Sequence, residues 1–197
     1  MKRDEQATAK KREIVQHAFD NFYDGGFHAT GVDTVMADSG ISKRTLYKYF
    51  PSKEDLIDAV LDHYGEQIEK TLFETVLRSC SDPREQILKC FDLRRQILQD
   101  SPLRGCLGLK AAQEFAGRHE ALATHGKHIA FVVDDWFVDA CQRGRFAQPE
   151  VLGKQIATLF QGAVLLSQVY GDTSPFDPAR QAAGTLMNEA ATLVAEA

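Results

Sequence analysis

Apolar residues recur at helical spacing along nearly the whole chain. Ile14, Val15, Ala18, Phe19 and Phe22 fall on i, i+4 and i+1, i+5 steps and build one stripe. That stripe predicts a helix stopped by Gly25 and Gly26, because glycine readily takes the left-handed conformation that closes helices. A short second helix follows, with Thr30 as its cap, Asp33 three residues on, an apolar face of Val32, Val35 and Met36, and a break at Ser39-Gly40. Ile41 leads into Ser42, the N-cap of a third short helix, Lys43 to Phe50, which Pro51 ends by restricting the residue before it. Ser52, ahead of Lys53-Glu54-Asp55, opens a longer fourth helix with Leu56, Ile57, Val60, Leu61 and Tyr64 on its buried side.

Beyond that helix, breaks fall near Ser81-Asp82-Pro83, Ser101-Pro102, Gly117, Gly144 with Pro149, and Gly171 to Pro178. They delimit five further helices at 83 to 100, 105 to 116, 119 to 144, 150 to 170 and 177 to 195. No segment alternates in the manner of a strand, so the expected fold is all-α with about nine helices. The expected division is a helix-turn-helix part at 9–55 and a helical part at 56–197.

Composition changes this picture little: apolar residues at 44% and charged ones at 26% are ordinary for a folded chain. The net charge of −5 excludes a protein that coats nucleic acid with its whole surface, but it leaves room for one basic face. Residues 42–53 hold Lys43, Arg44, Lys48 and Lys53 with no acidic residue among them, whereas most of the acidic excess lies after residue 55. No apolar run approaches the roughly 20 residues of a membrane span, and the polar start Met1 to Arg12 lacks the apolar core of a signal peptide, so a cytoplasmic protein with no membrane partner is expected. Cys80, Cys90, Cys106 and Cys141 are widely spaced without a C-x-x-C pair, which fits free thiols rather than a zinc site or disulfide framework.

The two short helices, joined by Asp38-Ser39-Gly40-Ile41, form a helix-turn-helix in which the glycine permits the sharp turn and the second helix enters the major groove. Leu46 and Phe50, at i and i+4, face the core and leave Lys43, Arg44, Thr45, Tyr47 and Lys48 outward. Arginine grips a guanine edge with two hydrogen bonds, and threonine bonds a base or touches a thymine methyl. Arg44 and Thr45, with Lys43 beside them, are therefore the candidate base readers. Tyr47, Tyr49, Lys48 and Lys53 suit phosphate oxygens, as do the backbone amides behind Ser52 and the hydroxyl of Thr30. The same charges would also fit a solvated face with the tyrosines packed between helices; the turn and the cationic helix together favour DNA.

Residues 12 to 61, with their apolar helix closed by glycine and the run Ile41-Ser42-Lys43-Arg44-Thr45-Leu46-Tyr47-Lys48-Tyr49-Phe50-Pro51-Ser52-Lys53-Glu54-Asp55-Leu56, resemble the DNA-binding domain of the TetR family of regulators. Arg44 stands where a glycine is common in that family and Lys48 where histidine is frequent; both add positive charge, which bears on the operator rather than on DNA binding itself. The resemblance implies an all-helical homodimer with three N-terminal helices for double-stranded operator DNA and a larger C-terminal part for a small-molecule effector and dimerisation. It also implies that the helix at 150–170 and the last helix pair with their two-fold mates, with Ile156, Leu159, Phe160, Ala163 and Val164 at the interface; a purely internal core helix is the alternative.

Phe73, Phe91, Leu93, Leu109, Phe115, Phe131, Trp136 and Phe137 provide apolar surface for an internal effector pocket, and equally for plain core. Gly105-Cys106-Leu107 is similar to an element found at this place in a subgroup of the family, some of whose members respond to electrophiles through the cysteine. The candidate pocket set is thus Phe73, Phe91, Cys106, Leu109, Phe115 and Trp136. His119, His125 and His128 form the one histidine cluster, without a cysteine or carboxylate spaced to complete a metal site. No phosphate-binding glycine loop, nucleophile elbow or paired-histidine zinc helix points to an enzyme, and no cofactor is expected. The function expected is a repressor released from a palindromic operator by an effector. The alternatives are a redox or electrophile sensor acting through Cys106, and behind it a helical enzyme or adaptor.

Overall fold

Helix is the one regular structure among the described residues, which are 2–37, 39–100 and 102–195 of the computed structural model. In chain order the helices are α1 (Lys2–Gly25), α2 (Val32–Met36), α3 (Lys43–Tyr49), α4 (Lys53–Ile68), α5 (Glu74–Ser79), α6 (Pro83–Gln99), α7 (Leu107–Phe115), α8 (Glu120–Arg143), α9 (Pro149–Tyr170) and α10 (Phe176–Ala195). A single π turn, Glu69–Phe73, joins α4 to α5, and Ile68, Phe73 and Glu74 all keep right-handed helical dihedrals. The ten α segments therefore make nine rods, with α4 and α5 as one, in line with the periodicity.

The helix ends follow local chemistry. Gly26 closes α1 at φ +77°, its amide donating to the Phe22 carbonyl at 3.0 Å. Asp82 caps α6 by accepting from the Arg84 amide, with Pro83 in the first position, where its missing N–H costs nothing. Gly171 ends α9 in the left-handed conformation. α7 starts at Leu107, two residues later than the spacing predicts, because Gly105 takes φ +75° and cannot sit inside a helix.

The chain packs as two compact units, one of residues up to Glu66 with Leu107–His128, the other of Gln67–Cys106 with Ile129 onward. In the first unit, Ile14, Ala18, Phe22, Phe27, Val35, Leu46, Leu56 and Val60 are fully buried. Each Ile, Phe, Val and Leu side chain among them contributes roughly 1.5–3 kcal/mol by leaving water. In the second unit, Phe91, Phe137 and Phe160 pack ring to ring at 5.3–6.0 Å, and Phe176 meets Phe160 edge-on.

Candidate nucleic-acid interface

Three side-chain caps build the segment from α2 to the start of α4. The Ser39 hydroxyl donates to the Met36 carbonyl at 2.8 Å and accepts from the Ile41 amide at 3.0 Å, which fixes the turn behind α2. Gly40 follows at φ +67°, a conformation most side chains resist, so the sharp reversal needs glycine there. Asp38, the first residue of the predicted turn, lies outside the described residues. The Ser42 hydroxyl accepts from the Thr45 amide at 3.1 Å and lies 2.9 Å from the Thr45 hydroxyl, starting α3. Ser52 starts α4 in the same way, accepting from the Asp55 amide at 3.0 Å while the Asp55 carboxylate takes the Ser52 amide at 2.9 Å. With that carboxylate in place, the Ser52 turn is less open to a phosphate than the bare serine cap suggests.

Thr30 departs from expectation. The N-cap of α2 is Gly31, which makes no side-chain cap bond, and Thr30 is 4% exposed with its hydroxyl donating to the Asn21 carbonyl at 3.4 Å. The chain after Gly26 folds back on the last turn of α1 and draws this hydroxyl inward. Thr30 therefore packs the unit, and neither the cap nor the phosphate contact expected of it stands.

α3 is amphipathic as its spacing predicts. Leu46 is fully buried and Phe50 nearly so, whereas Lys43, Arg44, Tyr47 and Lys48 are exposed and Thr45 and Tyr49 half-buried. The Lys43 amine pairs with the Asp33 carboxylate at 2.5 Å, and that hydrogen bond and charge raise its pKa above the ordinary lysine value. Lys48 lies 5.4 Å from the Tyr49 ring centre and Lys53 lies 5.8 Å from that of Phe22. Lys11, which sequence reasoning passed over, stands 5.9 Å from the Phe50 ring at the end of α3. Its place beside α3 depends on the tertiary fold, and no local motif signals it.

The residues expected in an effector pocket divide between the two units. Phe73, Phe91, Cys106 and Trp136 belong to the second, and Leu109 and Phe115 to the first, where Phe115 packs on Phe27 and His28 at 5.6 and 5.0 Å. Phe73 stacks on Trp136 at 4.9 Å, and the Trp136 indole N–H is buried with no acceptor among the described residues. Cys106 is buried, and burial pushes the Cys141 thiol up to about 12 and Cys90 well up as well.

Of the residues expected at the α9 interface, Ile156, Phe160, Ala163 and Val164 are at most 3% exposed. They face the core of their own unit, as in the alternative of an internal core helix, and Leu159 alone of the five is half-buried. The outer side of α9 instead carries Leu166 and Val169, and an apolar groove of about 660 Å³ runs along α9 and α10 past Leu159, Ala182 and Leu186.

The histidines have separate tasks. His119 accepts the Leu122 amide at 3.3 Å to start α8, and His125 lies 2.7 Å from Asp58 and 3.4 Å from Asp62 through its two ring nitrogens.

The model of "Bacterial regulatory proteins, tetR family" matches residues 14–60. Over 60 residues the chain is 45% identical to the HTH-type transcriptional regulator RutR of Escherichia coli K12, a match covering 30% of this chain and 28% of RutR. It is 28% identical over 169 residues to the HTH-type transcriptional regulator YxaF of Bacillus subtilis, covering 83% of this chain and 88% of that protein. A TetR-family transcriptional regulator from Streptomyces coelicolor superposes with a TM-score of 0.84 at 18% identity, over 92% of this chain and 96% of that one. Residues 14–60 thus match the tetR family of bacterial regulatory proteins, and the chain shares the all-helical fold of a solved regulator of that family.

Proposed function

We propose that this chain is a dimeric, DNA-binding transcription regulator, a repressor that a small-molecule effector releases from a palindromic operator. The observation that carries the reading is α3, a helix capped by Ser42, anchored by Leu46 and presenting Lys43, Arg44, Tyr47 and Lys48 to solvent. An exposed cationic helix after a tight turn suits the major groove. Arg44 and Thr45 read base edges, while Tyr47, Lys48, Tyr49 and Lys53 contact phosphates; Lys43 joins the readers once it leaves Asp33. In this reading residues 9–55 serve DNA and residues 56–197 serve the effector and the second copy.

The outer stripe of α9 supports pairing. Leu159, Gly162, Leu166 and Val169 follow one another at three-, four- and three-residue steps, the spacing of a helix-packing seam. A Cβ on Gly162 would meet nothing within 4 Å, so that position is open to a neighbour. The buried Trp136 indole N–H, without an acceptor among the described residues, supports an effector site in the second unit, and buried Cys106 gives the electrophile reading no comparable support. No catalytic role is assigned to any residue. No helix of the described residues is long and apolar enough to cross a membrane.

The test is selection of bound sequences from a random duplex library at fixed moderate salt, with Arg44→Ala run alongside. Enrichment of a palindrome supports a dimeric operator reader; no enrichment with folded protein overturns it.

A further inference from the structure

Two side chains one turn apart on α7 hold the entrance to the helix-turn-helix. The Glu114 carboxylate accepts the Phe27 amide at 3.2 Å, the His28 amide at 2.9 Å, and lies 3.0 Å from the His28 ring nitrogen Nδ1. The Lys110 amine donates to the Tyr23 carbonyl at 2.9 Å and sits 5.3 Å from the Tyr23 ring centre. Phe115 completes the contact by packing on Phe27 and His28. All these residues lie within the first compact unit.

The chemistry at each end is matched to the chain it holds. Tyr23 is in the last turn of α1, where carbonyls lack intrahelical partners and favour a cation, and Lys110 supplies one. Phe27 and His28 follow the reversal at Gly26, where amides point out of the helix and favour an anion, and Glu114 supplies that. A Cβ on Gly26 would stand 3.0 Å from a Glu114 oxygen, so the carboxylate fills the space against the bare backbone.

We infer that Glu114 and Lys110 are positioning residues for DNA recognition, fixing the α1–α2 turn from α7 and so pre-setting the pose of the α2–α3 unit. The inference rests on the DNA-binding reading above and goes beyond it by naming residues that touch no DNA. A reader already held in its bound pose loses less freedom on binding; a loosened one must be ordered by the DNA itself. Releasing the turn therefore weakens operator binding while the base-reading side chains, and with them the sequence preference, stay as they are.

The experiment uses the full-length protein and the operator selected by the wild type. Glu114→Gln, Glu114→Ala and Lys110→Met are compared for thermal midpoint, amide hydrogen exchange at Phe27 and His28, and operator affinity, with Glu114→Gln as the milder change should the alanine variant fold poorly. The expected result is exchange faster by about tenfold or more and affinity lower by about tenfold in Glu114→Ala, less in Glu114→Gln, with the selected sequence unchanged. Combined with His28→Ala, the Glu114 variants should be non-additive in affinity, which a generally weakened fold does not produce. Wild-type affinity in a folded variant whose turn amides exchange fast overturns the positioning role, as does an affinity loss that is additive with His28→Ala. If the wild type selects no operator, it is the DNA-binding reading that fails.

Discussion

Lys43 and Arg44 are neighbours on α3, yet they are prepared differently for DNA. Arg44 is exposed, whereas the Lys43 amine is held by Asp33 of α2. Replacing Arg44 by Ala should cost about 1–3 kcal/mol on the selected operator and relax its preference at one position per half-site. Binding titrations against single-base operator variants would measure this, and an unchanged preference removes Arg44 from the base readers. Asp33 has the opposite influence, because its carboxylate both occupies Lys43 and repels approaching phosphates. Asp33→Asn should therefore tighten binding to all duplexes several-fold and steepen the salt dependence by up to about one unit, as a freed ammonium displaces one more counterion. An unaltered salt slope would mean that Lys43 keeps away from the duplex even when released.

At the scale of elements, what could be read from the sequence is what local chemistry decides. Ser42, Ser52, Asp82 with Pro83 and the glycines at 26 and 171 mark helix ends that the structure reproduces closely. Where two neighbours compete for one task, tertiary contacts decide: Thr30 is the better cap by residue type, but its hydroxyl is drawn to Asn21 and Gly31 takes the position. The π turn at Glu69–Phe73 leaves no trace in the apolar spacing. For α9 the sequence shows two apolar stripes without saying which faces inward; Ile156 and Phe160, expected at an interface, lie on the buried stripe, and Leu166 and Val169 on the exposed one. The α7 clasp was hidden for a different reason: its partners stand 86 and 87 residues apart. The clasp also has a pH signature. Burial raises the Glu114 pKa, but the hydrogen bonds from His28 and Phe27 outweigh it, and the net value lies below that of an ordinary glutamate. A depressed carboxyl pKa stabilises the fold above its unfolded value and ceases to do so as pH falls through the folded one. Urea unfolding should thus find wild type more stable than Glu114→Gln near neutral pH, with the gap closing below about pH 4. A gap that persists unchanged into acid would show that the charge of Glu114 contributes nothing.

For the molecule as a whole, the proposed operator reading depends on two copies acting together. Two recognition helices must reach half-sites about 34–36 Å apart, which one copy cannot do. The inward stripe of α9, with Ile156, Phe160, Ala163 and Val164, is fully used in holding its own unit, so pairing falls to Leu159, Gly162, Leu166 and Val169 and to the α10 residues Ala182 and Leu186 along the groove. Leu166 and Val169 are 38% and 67% exposed in the single chain, so a charge at Leu166 would leave the fold intact while burying an unpaired carboxylate at a two-fold seam. Leu166→Glu should accordingly sediment as a folded monomer at concentrations where wild type is a dimer. Its affinity for the full palindrome should fall by about 10²–10⁴-fold, because the second half-site is no longer delivered at high effective concentration. Binding to an isolated half-site should change little, since α3 is untouched. A dimer that persists in Leu166→Glu would move the interface away from the outer stripe of α9, and a monomer that still binds the palindrome at wild-type affinity would remove the need for two copies.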